Sequence, residues 1–199
     1  GSQADGGFNQ QIANKHDLMF YGANLWGMAE DDQQAALGAV SEISKFPLMA
    51  DRLHQGMLEY LLLVRAMRER FEETTVAKKY GIKVNKQENY YSGISQGGIF
   101  GGTFMALSKE VTRGHLGVPG NNYSTLLDRS VDFEPFFKIM SINYEKRIDQ
   151  LIILSTIQLL WGQTDPVSYL KHIKSDPFPN TPSHDVILAP AKGDHQVAV

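Results

Sequence analysis

The chain contains no cysteine, which removes disulfides, thiolate catalysis and cysteine-based zinc or iron-sulfur sites. The compartment stays open, because a cysteine-free protein tolerates either redox state. Long hydrophobic runs are missing as well. The longest nearly apolar stretch, Leu151 to Trp161, is about half of the roughly 20 residues needed to cross a bilayer, so no transmembrane helix is expected. Gly1 to Gly7 is small and polar, without a basic start and an apolar stretch behind it, so no signal peptide is read there. An excess of positive charge is lacking too: at a net charge of -3, with Lys and Arg dispersed, there is no extended field to hold a phosphate backbone. Nucleic acid is therefore not an expected partner. No H-E-x-x-H occurs, and His184 and His195 are not spaced as a helical ligand pair, so no metal is expected. A P-loop would need Gly-Lys-Ser/Thr, which is absent, and no cofactor is expected.

What is present is the composition of an ordinary globule. At 199 residues, 42% hydrophobic and 21% charged, the chain suits one domain with a real core. Asp17 to Ala23, DLMFYGA, is a short apolar and aromatic run that reads as a buried strand. From Asp51 to Arg70, Leu53, Met57, Tyr60, Leu61, Val64 and Met67 recur at spacings of three and four, which predicts an amphipathic helix covering a sheet face. A strand-like Asn89 to Gly93 leads through Ser95 into a small-residue helix over Gly97 to Leu107. Arg113 to Val118 and Asp185 to Ala191 read as two further strands, each stopped by a Pro or Gly loop. Alternating strands and helices imply a mostly parallel sheet flanked by helices, with ligands bound outside the carboxyl ends of the strands. Asn121 to Pro182 interrupts the alternation with apolar helical segments and is expected to form a helical cap or lid. Its aromatics Phe133, Phe136, Phe137 and Trp161 are read first as helix packing, with an acyl-binding wall as the sharper alternative.

Gly93-Ile94-Ser95-Gln96-Gly97 fits G-x-S-x-G, in which a serine occupies a strained strand-to-helix turn that small neighbours permit. So short a pattern arises by chance, and its setting carries the assignment: a strand-like NYYSG before it and GGIFGGTFMAL after it. Ser95 is the expected nucleophile. Gln96 is expected to act through its backbone N–H, facing a developing oxyanion at a helix N-terminus. Gly97 with Gly101 and Gly98 with Gly102 lie four apart, so each pair shares a helix face and permits close packing. In this chain order an acid and then a histidine follow the serine. Asp194 comes directly after the last strand and is the expected acid, with a turn aspartate as the alternative. His195 neighbours Asp194 too closely to donate its ring N–H well to that carboxylate, so the base is expected beyond Val199, with His195 as the fallback. His16, His54, His115 and His172 read as structural.

YYSGISQGGIFGGTFMAL, RGHLGVPGNNYSTLLDRSVDF and DVILAPAKGDHQV, together with NLWGMAEDD and FPLMADRLHQG, resemble a family of bacterial α/β hydrolases in the lipase and esterase superfamily. The resemblance implies an α/β-hydrolase fold with nucleophile Ser95 and triad acid Asp194. It also implies earlier strands, an oxyanion-hole loop whose end Gly1-Ser2 matches, and a further strand and histidine after the GDHQV block. On that reading residues 1–199 are one partial domain from the middle of a longer protein, with an incomplete sheet that other segments of the same protein complete. The expected substrate is a small-molecule ester or lipid, cleaved through a Ser-His-Asp acyl-enzyme. Two rivals remain: a non-catalytic hydrolase-like binding or assembly module, and an acyl transferase or peptidase on the same scaffold.

Overall fold

The computed structural model describes residues 6–198. Gly1-Ser2, matched above to an oxyanion-hole loop, lies outside them. The chain folds as a mixed α/β structure in which helices pack against a small, wholly parallel sheet. Helices α1 (Gly7–His16), α2 (Gln33–Ser41), α3 (Phe46–Arg70) and α4 (Thr75–Tyr80) precede the first strand, β1 (Tyr90–Ile94). Helix α5 (Gln96–Leu107) connects it to β2 (Arg113–Gly117). Helices α6 (Tyr123–Leu127), α7 (Glu134–Asn143), α8 (Arg147–Trp161) and α9 (Leu170–Lys174) lead to β3 (Asp185–Ala189).

The strands lie side by side in chain order, with Ile94, Gly117 and Ala189 in register at their carboxyl ends. Whatever follows each strand therefore emerges along one edge of the sheet. Helix α5 packs on β1 and β2 and is apolar and buried on nearly every side. Its glycines allow this. A Cβ on Gly101 would meet Tyr91 and Leu116 at 2.5 and 2.6 Å, and one on Gly102 would meet Pro166 at 2.8 Å. The sheet face away from α5 leaves Tyr90, Ile94 and Ile187 exposed.

The helix expected over Asp51 to Arg70 begins earlier, at Phe46, with Pro47 in its first turn, where a missing N–H costs nothing. It buries Phe46, Met49, Ala50, Leu53, Met57 and Val64 at helical spacing. It packs on α2, α5 and α8, so it forms a layer over helices where a sheet face had been expected. The strand expected at Asp17 to Ala23 is absent: Asp17 caps α1 in the left-handed region, and the residues after it pair with no strand. Tyr60 on α3 donates its hydroxyl to the Ala23 carbonyl, and Leu18 and Met19 remain exposed. An apolar run specifies burial, whereas a strand also needs a neighbouring backbone ladder.

The loop from Trp26 to Asp32 is fastened to α3 by an ion pair between buried Asp32 and half-exposed Arg52. One oxygen of Asp32 accepts from the Gly27 and Ala29 amides at 2.7 and 3.0 Å, and the other accepts from Arg52 Nε at 2.6 Å. Burial opposes ionisation of Asp32, but the Ala29, Arg52 and Gly27 hydrogen bonds outweigh it and hold the carboxyl below its ordinary value of 3.8. A group with a depressed folded-state pKa stabilises above its unfolded pKa and loses that contribution as pH falls through the folded value. Asp32→Asn should therefore cost about 1–2 kcal/mol at pH 7, since solvent at the half-exposed Arg52 weakens the pair. Urea denaturation should show that gap closing below about pH 4, as the wild-type carboxylate takes up its proton.

Candidate active site

Ser95 stands between β1 and α5, at φ 57° and ψ −121°. A non-glycine residue rarely adopts positive φ, and such a conformation costs of order 1–3 kcal/mol unless its surroundings enforce it. Here they do. The Ser95 amide donates to the Gly117 carbonyl at 2.9 Å, and the Ser95 carbonyl accepts from the Ile99 amide at 2.9 Å, so both ends of the turn are fixed. Tyr91 donates its hydroxyl to the Gly97 carbonyl at 2.6 Å, stapling the first helical turn back to the strand. Burial pushes the Tyr91 phenol well above the usual tyrosine range, so it remains a donor.

The side chain of Ser95 is exposed, and the first-turn amides of α5 have no partner within the helix. Positive helix-dipole potential and free N–H groups thus converge beside a hydroxyl, an arrangement suited to negative charge developing next to it. Ser95 and Gln96 both line a cavity of about 350 Å³. Its lining is mostly apolar and includes Met28, Val40, Phe46, Leu126, Leu154 and Ile157. Phe133, Phe136 and Trp161 line it too, whereas Phe137 packs on the core with the Arg147 guanidinium 5.5 Å above its ring. The helices between β2 and β3 therefore wall the space that opens at Ser95.

Asp194 and His195 emerge from the same sheet edge, after β3. One oxygen of Asp194 accepts from the Gln196 and Val197 amides at 2.7 and 3.0 Å, a local turn like the alternative reading of that residue. The turn presents Gln196 and Val197 to the cavity. Asp194 itself is half-buried, and His195 is exposed with its carbonyl accepting from the Val131 amide at 2.9 Å. Among the described residues, no hydrogen bond links Asp194 or His195 to Ser95, and no histidine lines the cavity. His184 is buried with its ring nitrogens against the Ile173 and Ser108 carbonyls at 3.1 and 2.9 Å, a structural tie. His115 lies 3.3 Å from Ser92 Oγ, in the middle of the sheet.

No family model, no curated protein and no solved structure matches the chain. Among the described residues, no group of three or more His, Asp or Glu could hold a metal ion, and no helix is long and apolar enough to cross a membrane.

Several cavity residues were not singled out from the sequence. Tyr123 reaches the cavity five residues beyond Val118, which itself takes φ 49° directly after β2. The rule that chemistry follows strand ends pointed to this loop, but nothing local marked its tyrosine. Asp132 on the rim accepts from Gln196 Nε2 at 3.2 Å and joins the two sides of the opening.

Proposed function

We propose that the chain carries the nucleophile of a serine hydrolase acting on carboxylic esters of the lipase or esterase kind, on an α/β-hydrolase-type scaffold. The observation that carries this reading is Ser95 itself: a non-glycine residue at φ 57°, held between a parallel strand and a helix N-terminus, opening onto an apolar cavity. Strain of this kind collects where a side chain must be aimed. The cavity suits an uncharged acyl group, and helices from residues 121–182 serve as its cap.

In the reaction, Ser95 Oγ attacks the ester carbonyl carbon while a histidine takes its proton. The carbonyl oxygen becomes an oxyanion facing the Gln96 amide at the start of α5, and the same proton then passes to the departing alkoxide. Water attacks the acyl-enzyme and releases the acid. Asp194 orients the histidine. That no histidine among the described residues lines the cavity also favours a second reading, a hydrolase-like binding module that holds an apolar ligand without cleaving it.

Covalent labelling with a fluorophosphonate ester, located by mass spectrometry, separates the two. Labelling at Ser95 in the full-length gene product is the expected result, and none in either that product or residues 1–199 would favour the binding module.

A further inference from the structure

Among the described residues that line the cavity at Ser95, one bears a charge: Asp132, in the short helical turn Val131–Phe133 that leads into α7. Its neighbours in sequence have cations of their own. Asp128 accepts from Arg147 at 2.8 Å and Glu134 pairs with Lys138 at 3.0 Å, whereas Asp132 meets no cation among the described residues. One of its oxygens accepts from Gln196 Nε2 at 3.2 Å, and its amide donates to Ser130 Oγ at 3.2 Å. The carboxylate is thus held in place while its charge stays uncompensated. Asp132 and Gln196 are exposed, whereas Leu126, Leu154, Ile157 and Trp161 are buried, so the polar pair marks the mouth of the cavity and the apolar side chains its interior.

Resting on the serine-hydrolase reading, we propose that Asp132 selects substrates by charge: the Ser95 site takes esters whose alcohol part is neutral or cationic and rejects those whose alcohol part is anionic. An apolar acyl group fills the interior, which leaves the alcohol part at the mouth beside Asp132. The positive potential in the site comes from the first turn of α5, and the oxyanion uses it. No Lys, Arg or His lines the cavity among the described residues, so an anionic group would lose water there and gain no partner. Asp132 adds repulsion to that cost, and discrimination between substrates rests on such a repulsive element as much as on attraction. A cationic group gains instead from a nearby carboxylate that no protein cation neutralises. Water at the exposed mouth screens both effects, which sets them at about three- to tenfold in rate.

The test is kcat/KM of the full-length gene product on three butyrate esters of similar size: those of choline, of its uncharged isostere 3,3-dimethylbutanol, and of 3-hydroxypropanoate. The order cation, neutral, anion is expected, with about three- to tenfold between neighbours and a spread that narrows as salt is raised. Asp132→Asn keeps an acceptor for Gln196 and removes the charge. Its melting temperature should stay close to wild type while the three values converge, and Asp132→Lys should invert their order. A wild-type protein indifferent to charge, or an order that survives in Asp132→Asn, would overturn the proposal while leaving Ser95 as nucleophile. An equal loss on all three esters in Asp132→Asn would overturn it too, by giving the carboxylate a part in the chemistry itself. So would hydrolysis of none of the three by a protein that a fluorophosphonate labels at Ser95. Absence of that labelling in the wild type would instead remove the serine-hydrolase reading, and charge selection with it.

Discussion

Ser95→Ala in the full-length gene product is expected to abolish fluorophosphonate labelling and to lower ester hydrolysis by about 10⁴-fold or more, the scale lost when a covalent nucleophile is removed. The magnitude follows from what remains. On the proposed reading, helix amides and the apolar cavity would still bind an ester, but the acyl-enzyme route would be closed and water would have to attack unaided. A second substitution separates chemistry from strain. Ser95→Gly also lacks the hydroxyl, yet glycine has no Cβ to resist φ 57°. Thermal unfolding should therefore place Ser95→Gly above Ser95→Ala by about 1 kcal/mol or more, although both are inactive. Equal stability of the two variants would mean that the turn is not strained, and the argument from conformation to nucleophile would lose its foundation. Residual hydrolysis near the wild-type level in Ser95→Ala would move the chemistry to another group on the cavity wall.

The elements around Ser95 were legible because their signals are local. Tyr90–Ile94 ends in a G-x-S-x-G turn and Arg113–Gly117 ends just before a Pro-Gly, so each carries its own terminator, while the last strand, expected to run to Ala191, stops two residues earlier, before Pro190. The periodicity of α3 was legible too, but the surface it packs against was not, since an apolar stripe records that a face is buried and not what buries it. The error at Asp17 to Ala23 has the same origin. Tyr21 and Leu25 pack against the core, and the sequence carries that much, but no strand lies alongside to make a ladder. The cavity was legible only on the side of the cap aromatics. Met28 and Val40 reach it from the opposite end of the chain, and the hydrogen bond from the Tyr123 amide to Asp165 spans 42 residues. Pairings at that separation depend on tertiary folding, which neither spacing nor composition encodes. Asp194 shows the remaining ambiguity: a carboxylate that accepts two amides of its own turn satisfies a local role whether or not a histidine also reaches it.

The glycines in and directly after the motif make unequal demands, and the difference gives the largest expected effect on folding. A Cβ on Gly98 would lie 2.0 Å from the Gly117 carbonyl oxygen, an atom of the sheet backbone that also accepts the Ser95 amide. No rotamer relieves such a clash, so α5 would have to lift from β2 and release the hydrogen bond that fixes the turn. Gly98→Ala should therefore destabilise by about 4 kcal/mol or more, a large part of the stability of an ordinary domain. Gly97 is one of the two glycines the G-x-S-x-G pattern names, yet a Cβ there would approach nothing closer than the Tyr91 hydroxyl at 3.7 Å, whereas one on Gly93 would lie 2.3 Å from the Gly97 carbonyl oxygen. Gly97→Ala should be tolerated and could add a few tenths of a kcal/mol through its higher helix propensity. Equilibrium unfolding of the two variants side by side would check the ranking. The reverse order would mean that α5 meets the sheet with a different face, and Ser95 would then be aimed away from the cavity that supports its role.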